Sequence, residues 1–244
     1  MILVQREFTV PRAQRAEFER QSREGLWPAF RHYGAQMVAF GSWSFGASSE
    51  PLVTHTVYED FDHWEATRYP DGAFLRDERV NEETKDLRAT FKGRGALITN
   101  SQAAPYELFP QTTRYQPFVR SAGQDLVAMP HSFGPGSVVS ERTLALERGR
   151  QEEFIRVSME TIWPWLESQG GYGMAIGHNM MGASNEITTW FAFPTMSLWY
   201  RCARPASAHA PADVVSAYTA RHGLVRSQRG RILTVGTTFG AAIE

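Results

Sequence analysis

The 244-residue sequence contains one cysteine, Cys202, and two lysines, Lys85 and Lys92, among 25 basic residues. A single thiol excludes an internal disulfide and a multi-cysteine zinc site. Two lysine amines leave few candidates for Schiff-base chemistry, so the basic charge is carried by arginine. No apolar run approaches the roughly 18 residues of a membrane-spanning helix. The opening MILVQREFTV has no basic segment followed by a long apolar stretch; no signal peptide is read and a cytoplasmic protein is expected. A net charge of −1 gives no reason to expect nucleic acid or a membrane as partner. There is no GxGxxG, P-loop, HExxH or GxSxG stretch, which sets nucleotide and serine-hydrolase chemistry aside. The histidines, His32, His55, His63, His131, His178, His209 and His222, show no ligand spacing, and no metal centre or cofactor is expected.

What is present is a repetition. FGASSE at 45–50 returns as MGASNE at 181–186, at an offset of 136 positions. Over 25–50 against 161–186 nine of 26 positions are identical: Trp27/Trp163, Pro28/Pro164, Gly34/Gly170, Ala39/Ala175, Gly41/Gly177, Gly46/Gly182, Ala47/Ala183, Ser48/Ser184 and Glu50/Glu186. Residue frequencies alone give about one or two. Upstream, Arg6/Arg142, Phe18/Phe154 and Ser22/Ser158 match at the same offset, and downstream Gly93-Arg94 aligns with Gly230-Arg231. The chain therefore reads as a first unit over 1–100, a connector over 101–137 and a second unit over 138–244.

Each unit has the same order of elements. ILVQREFTV has the composition of a strand, and 12–33 carries apolar residues at helical spacing. Pro28 and Pro164 fall inside the last turns of that helix and its copy, where a missing N–H predicts a kink or break. AQMVAFGSW and YGMAIGHNM are second strands, joined by the duplicated turn to the third strands PLVTHTVYE and EITTWFAF. A helical stretch follows each, and GALITN and RILTVGTTF are the expected fourth strands. In the connector, Pro105, Pro110, Pro117, Pro130 and Pro135 argue against regular structure, while Tyr106, Phe109, Tyr115, Phe118 and Phe133 imply packing on the body. The order β-α-β-β-α-β, twice, is the ferredoxin-like unit in tandem. Helices cover one sheet face and leave the other in need of cover, so two units predict a closed α+β barrel with pseudo-two-fold symmetry.

These motifs, a strand with Arg6 or Arg142, a helix ending in Trp-Pro, a glycine, and then QMVAFGSWSFGASSEPLVTHTVYE or GMAIGHNMMGASNEITTWFAF, resemble the NIPSNAP family of the dimeric α+β barrel superfamily across both halves. The resemblance implies the fold. For activity it implies only a range, since related barrels include cofactor-free monooxygenases, isomerases, lyases, haem-binding enzymes and members without known catalysis. The family's third-strand histidine matches His55, and Trp190 stands in its place in the second half.

Candidate chemistry rests on His55, Arg6 and Arg142. His55 shares a strand face with Val53 and Val57. It is either a core histidine tied to a neighbouring strand or, from its ordinary pKa of about 6.5, an acid or base. Arg6 and Arg142 lie in apolar rows and need a partner. Two readings stand: an ion pair with Glu50 or Glu186, or a guanidinium aimed into the barrel at a carboxylate, enolate or oxyanion. Trp43, Tyr58, Tyr69, His178 and Trp190 are candidate substrate-binding residues, with core packing as the other reading. The expected function is a small-molecule enzyme with a barrel-interior pocket doing proton-transfer chemistry, namely isomerisation, elimination or cyclisation, on an apolar or aromatic metabolite. A non-catalytic binding protein and a cofactor-free or haem-dependent oxygenase are the alternatives. The fused halves make a monomer sufficient, and a homodimer is also compatible.

Overall fold

The computed structural model of the protein describes residues 1–68, 76–114 and 134–236. The first half contains β1 (Ile2–Thr9), α1 (Arg15–Gln21), α2 (Trp27–His32), β2 (Gln36–Phe45), β3 (Leu52–Tyr58), α3 (Phe61–Ala66), α4 (Glu78–Thr90) and β4 (Asn100–Leu108). The second half repeats it as β5 (Val138–Leu146), α5 (Gln151–Val157), α6 (Trp163–Ser168), β6 (Tyr172–Asn179), β7 (Glu186–Phe193), α7 (Met196–Cys202), α8 (Ala212–His222) and β8 (Val225–Val235). All pairings are antiparallel, and the strands close in the order β1-β3-β2-β8-β5-β7-β6-β4. Within each half the order is 4-1-3-2, the ferredoxin-like arrangement read from the sequence. Because neighbours alternate in direction around the ring, both copies of the GAS turn fall at the same end of the barrel.

Period-two alternation sorts the side chains. Leu3, Val53, Val57, Val139, Trp190 and Leu233 point inward and form one buried cluster. The outer faces pack under the helices: Phe8 against Phe18, Trp27 and Phe40 in the first half, and Ile187 and Phe191 against Phe154, Ile162 and Trp163 in the second. No helix among the described residues is long and apolar enough to cross a membrane.

Three sequence expectations are corrected. The prolines do not break the first helix of either half: α1 continues into α2, and α5 into α6, through a π turn at Ser22–Leu26 and Ser158–Ile162. The Trp27 and Trp163 N–H groups donate to carbonyls five residues back, and the wider turn makes room for the ring of Pro28 or Pro164. The fourth strands also shift. The first half of GALITN belongs to a short 3-10 turn over Arg94–Leu97, and β4, starting at Asn100, runs on to Leu108 inside the expected connector. Pro105 is tolerated there because its carbonyl, and so its missing N–H, faces β6 beyond the end of the ladder, where the Met180 N–H reaches the Pro105 carbonyl. β8 starts at Val225, six residues before the expected RILTVGTTF, since RSQRG is polar and exposed and reads as loop. Tyr115, Pro117, Phe118, Pro130, His131 and Phe133, with the end of RILTVGTTF, lie outside the described residues. After β4, the segment to Arg114 lies along β6, with the buried Thr112 hydroxyl accepting from Ile176 N at 2.9 Å.

The halves meet edge to edge at two short seams, β2 with β8 and β4 with β6. Each seam carries one of the duplicated glycines. A Cβ on Gly41 would overlap the Thr234 carbonyl oxygen, and one on Gly177 would lie 2.5 Å from that of Glu107. The backbones approach too closely for any other residue. Gly177→Ala should lower stability by about 1–3 kcal/mol, visible as a reduced melting temperature, whereas Gly95→Ala, with nothing within 4 Å, should leave it unchanged.

Candidate functional site

Two polar constellations occupy opposite faces of the barrel wall. The inner one starts from a pair of cross-strand contacts that the two halves share. Gln5 stands opposite His55, and Glu141 opposite Trp190. His55 Nε2 lies 3.1 Å from Gln5 Oε1, and Trp190 Nε1 donates to Glu141 Oε2 at 3.0 Å. Because Gln5 Nε2 donates to Glu7 Oε1, the Gln5 oxygen is the acceptor and His55 is assigned as the Nε2–H tautomer. His55 thus does the work of an indole N–H. Its Nδ1 is buried and has no partner among the described residues.

Arg231, from β8, ties these pairs together. Its Nε donates to Glu141 Oε1 at 2.9 Å, its Nη2 reaches the same oxygen, and its Nη1 donates to Glu7 Oε1 at 2.9 Å. Trp43 Nε1 donates to the same Glu7 oxygen at 3.1 Å, and its ring lies 4.1 Å from the Arg231 guanidinium carbon. Burial raises the Glu141 pKa, against the pull of Arg231. Burial, aided by Arg231, holds the His55 imidazole down at about 3. His55 is therefore neutral at ordinary pH and a weak base. The expected catalytic grouping is not assembled, since Arg6 and Arg142 occupy the opposite strand face from His55 and point toward the helices rather than into the barrel.

The outer constellation is built from that displacement. Arg6 and Arg94 flank one ring, their guanidinium carbons 5.4 and 4.9 Å from the Phe8 centroid, and Arg94 lies 4.0 Å from that of Phe18. Arg94 is 8% exposed, and its Nε donates to Ser22 Oγ at 2.7 Å; Ser22 in turn donates to the Phe18 carbonyl inside the π turn. Neither arginine has a carboxylate partner among the described residues, so the expected ion pair with Glu50 is absent there; the Glu50 carbonyl instead accepts from Arg15. The charges acting on Arg6 are those of Tyr58 and Arg68, and the one acting on Arg94 is Arg6 itself. Burial, then Arg6, brings the Arg94 pKa down to about 9. Arg6 keeps exposed surface while desolvation of its buried part lowers its pKa.

The other candidates scatter. Trp43 and Trp190 fill the barrel interior, while Tyr58 faces the helices and packs with Ile2, Val4 and Ala35. Arg142 faces the second helix layer and likewise has no Glu186 contact among the described residues. His178 stacks on Phe109 at the barrel edge, 3.7 Å from Glu107. Tyr69 lies outside the described residues. Among those residues no group of three or more His, Cys, Asp or Glu could hold a metal ion. Sequence reading missed Arg94, Glu141, Glu7 and Arg231. Arg94 was paired with Arg231 by the Gly-Arg dipeptide, but its structural counterpart is Arg221, which also bonds the π-turn serine of its half.

The fold is that of a dimeric α+β barrel, with both sheets supplied by one chain. It is shared with a monooxygenase candidate from Lactobacillus acidophilus NCFM at a TM-score of 0.60 and 11% identity, covering 98% of this chain and 96% of that one. An anthrone oxidase-like protein matches at 0.51 and 12%, covering 99% and 93%. A NIPSNAP family protein from Agrobacterium tumefaciens covers 41% of this chain and 89% of its own, at 20% identity and a TM-score of 0.35, the extent of a single half. No protein-family model and no curated protein sequence matches the chain.

The inner constellation has a pH signature. His55 has a folded pKa of about 3 against an ordinary value of 6.5, so the unfolded chain binds the extra proton and stability falls as pH drops through that interval. Denaturant titrations between pH 6 and pH 4 should show His55→Asn losing a slope of about 1.4 kcal/mol per pH unit relative to the parent.

Proposed function

We propose that this chain is a small-molecule enzyme that binds an anionic or enolisable, ring-bearing metabolite in the crevice between the first half's sheet and its helices, and moves a proton on it without a nucleotide. The observation that carries this reading is the Arg6–Arg94 pair: two guanidiniums beside one phenylalanine ring, with no carboxylate among the described residues to answer them. Like charges in such a setting are costly, and a carboxylate, phenolate or enolate oxygen supplies the missing counter-charge. Phe8 and Phe18 back the two guanidiniums with apolar surface.

Guanidiniums placed where negative charge develops stabilise an enolate more than the ketone it comes from. From the enolate, reprotonation at another carbon is isomerisation, loss of a leaving group is elimination, and attack on an internal carbon is cyclisation. An enolate also gives electrons to dioxygen, and the monooxygenase and anthrone oxidase names carried by two neighbours of the same fold support that branch as well. A binding protein without catalysis would use the same crevice and stop before the proton step.

Exchange of the acidic ring hydrogens of anthrone for deuterium, followed by NMR under argon in D2O, separates these outcomes. The parent protein should accelerate exchange, and Arg94→Gln should lose about 10²–10³ of that acceleration while its circular dichroism is unchanged. Exchange at the buffer rate with the parent protein would overturn catalysis by this crevice.

A further inference from the structure

The second half repeats part of the outer constellation: its two arginines and its serine return, while Phe8, the ring beside both first-half guanidiniums, is replaced by Leu144, and the tyrosine comes from a different element. Arg142, at the position of Arg6, faces the helix layer from β5, and Arg221, at the end of α8, donates through Nη1 to Ser158 Oγ at 3.3 Å. Ser158 donates to the Phe154 carbonyl at 2.7 Å, as Ser22 does to that of Phe18. The Arg221 guanidinium carbon lies 5.4 Å from the Phe154 centroid and 5.0 Å from that of Tyr218. The charged or ionisable groups acting on Arg221 are Tyr218 and Arg142, and the one acting on Arg142 is Tyr218. No carboxylate partners either arginine among the described residues.

The tyrosine changes element between the halves. Tyr218 stands three residues before Arg221, where the first half has Phe91 three residues before Arg94. Tyr58 stands opposite Ile2, where the second half has Phe193 opposite Val138. Tyr58, from the strand, acts on Arg6 in the first half, and Tyr218, from the helix, acts on both Arg142 and Arg221 in the second. Burial holds the Tyr218 hydroxyl up at about 12, so it is a hydrogen-bond donor. Arg142, Arg221 and Tyr218 all keep partial exposure, so solvent reaches each of them.

The two copies have also diverged unevenly. On the inner face His55 has become Trp190, Gln5 has become Glu141, and Glu7 has become Thr143. On the outer face Phe8 has become Leu144, while Arg6/Arg142, Phe18/Phe154 and Ser22/Ser158 are unchanged, and Arg94 and Arg221 reach the equivalent serine from different sequence contexts. A cationic pair that served packing alone would be the easiest feature to lose from one half, because it is costly without an anion.

From this geometry we infer that Arg142, Arg221 and Tyr218 form a second binding site, for the oxyanion of a ring-bearing carboxylate, so that one chain takes two ligand molecules. The inference rests on the reading of the Arg6–Arg94 crevice as an anion site and extends it to the other half. Two guanidiniums and one phenolic O–H supply the donors that a carboxylate accepts, and the partly exposed Tyr218 ring supplies apolar surface beside Arg221.

Equilibrium dialysis with 2-naphthoate counts the sites, with neutral 2-naphthalenemethanol as the uncharged control. The parent chain should hold two equivalents, Arg221→Gln and Arg94→Gln one each, and the double variant none. Tyr218→Phe, which removes a single oxygen and keeps the packing, should retain two equivalents with one site weakened about tenfold. One equivalent in the parent, lost with Arg94→Gln and kept in Arg221→Gln, would overturn the second site and leave the first-half reading intact. No naphthoate bound by the parent, or equal binding of the neutral control, would overturn both. Tyr218→Phe with both affinities unchanged would also count against the second site.

Discussion

The barrel depends on a charge network that neither half can complete. Glu7 comes from the first strand, Glu141 and Arg231 from the second half, and one guanidinium answers both carboxylates. The seams between the halves are short, with three paired positions at β4–β6 and four, interrupted by a bulge, at β2–β8. Apolar burial holds the interior closed but has no direction. The Arg231 contacts do have one: they fix which strand of the second half lies beside the first-half pair of Glu7 and Trp43. Breaking one partner of such a buried group leaves an unanswered charge, at a cost of about 3–5 kcal/mol.

That network also explains why the inner face is a poor place for the expected chemistry. His55 sits at its edge with its Nε2–H engaged and its pKa far below neutrality, in the place where the other half uses an indole. Interior polar groups that answer one another specify the arrangement of a core. The outer face has the opposite character, with arginines that no carboxylate among the described residues answers. Structure and candidate function are thus divided between the two faces of one sheet, and the alternation of strand residues makes that division possible.

Much of the fold was legible because duplication doubles every signal. Gly41 and Gly177, the Trp-Pro pairs and the GAS turns recur for reasons that act twice, at both seams and both helices. The misreadings were local. Pro105 looked like a break because a sequence does not show which side of a strand lacks a neighbour, and RSQRG looked like a loop because its exposed strand carries no apolar rhythm. At the site, Arg6 and Arg142 were identifiable as charges in apolar rows, but the face they take depends on register, which periodicity alone did not settle. Arg94 and Arg221 were not recognised as a pair because they precede their fourth strands by different lengths, and only the π-turn serine that each contacts reveals the correspondence.

The central claim, that the halves are locked together across the barrel by Arg231, is tested most directly by a double-mutant cycle. Unfolding free energies of Glu7→Gln, Arg231→Met and the double variant give the coupling between a residue of the first half and one of the second. The account predicts a coupling of about 1.5 kcal/mol or more, in the range seen for close charge pairs. Additive effects, within about 0.5 kcal/mol, would contradict it.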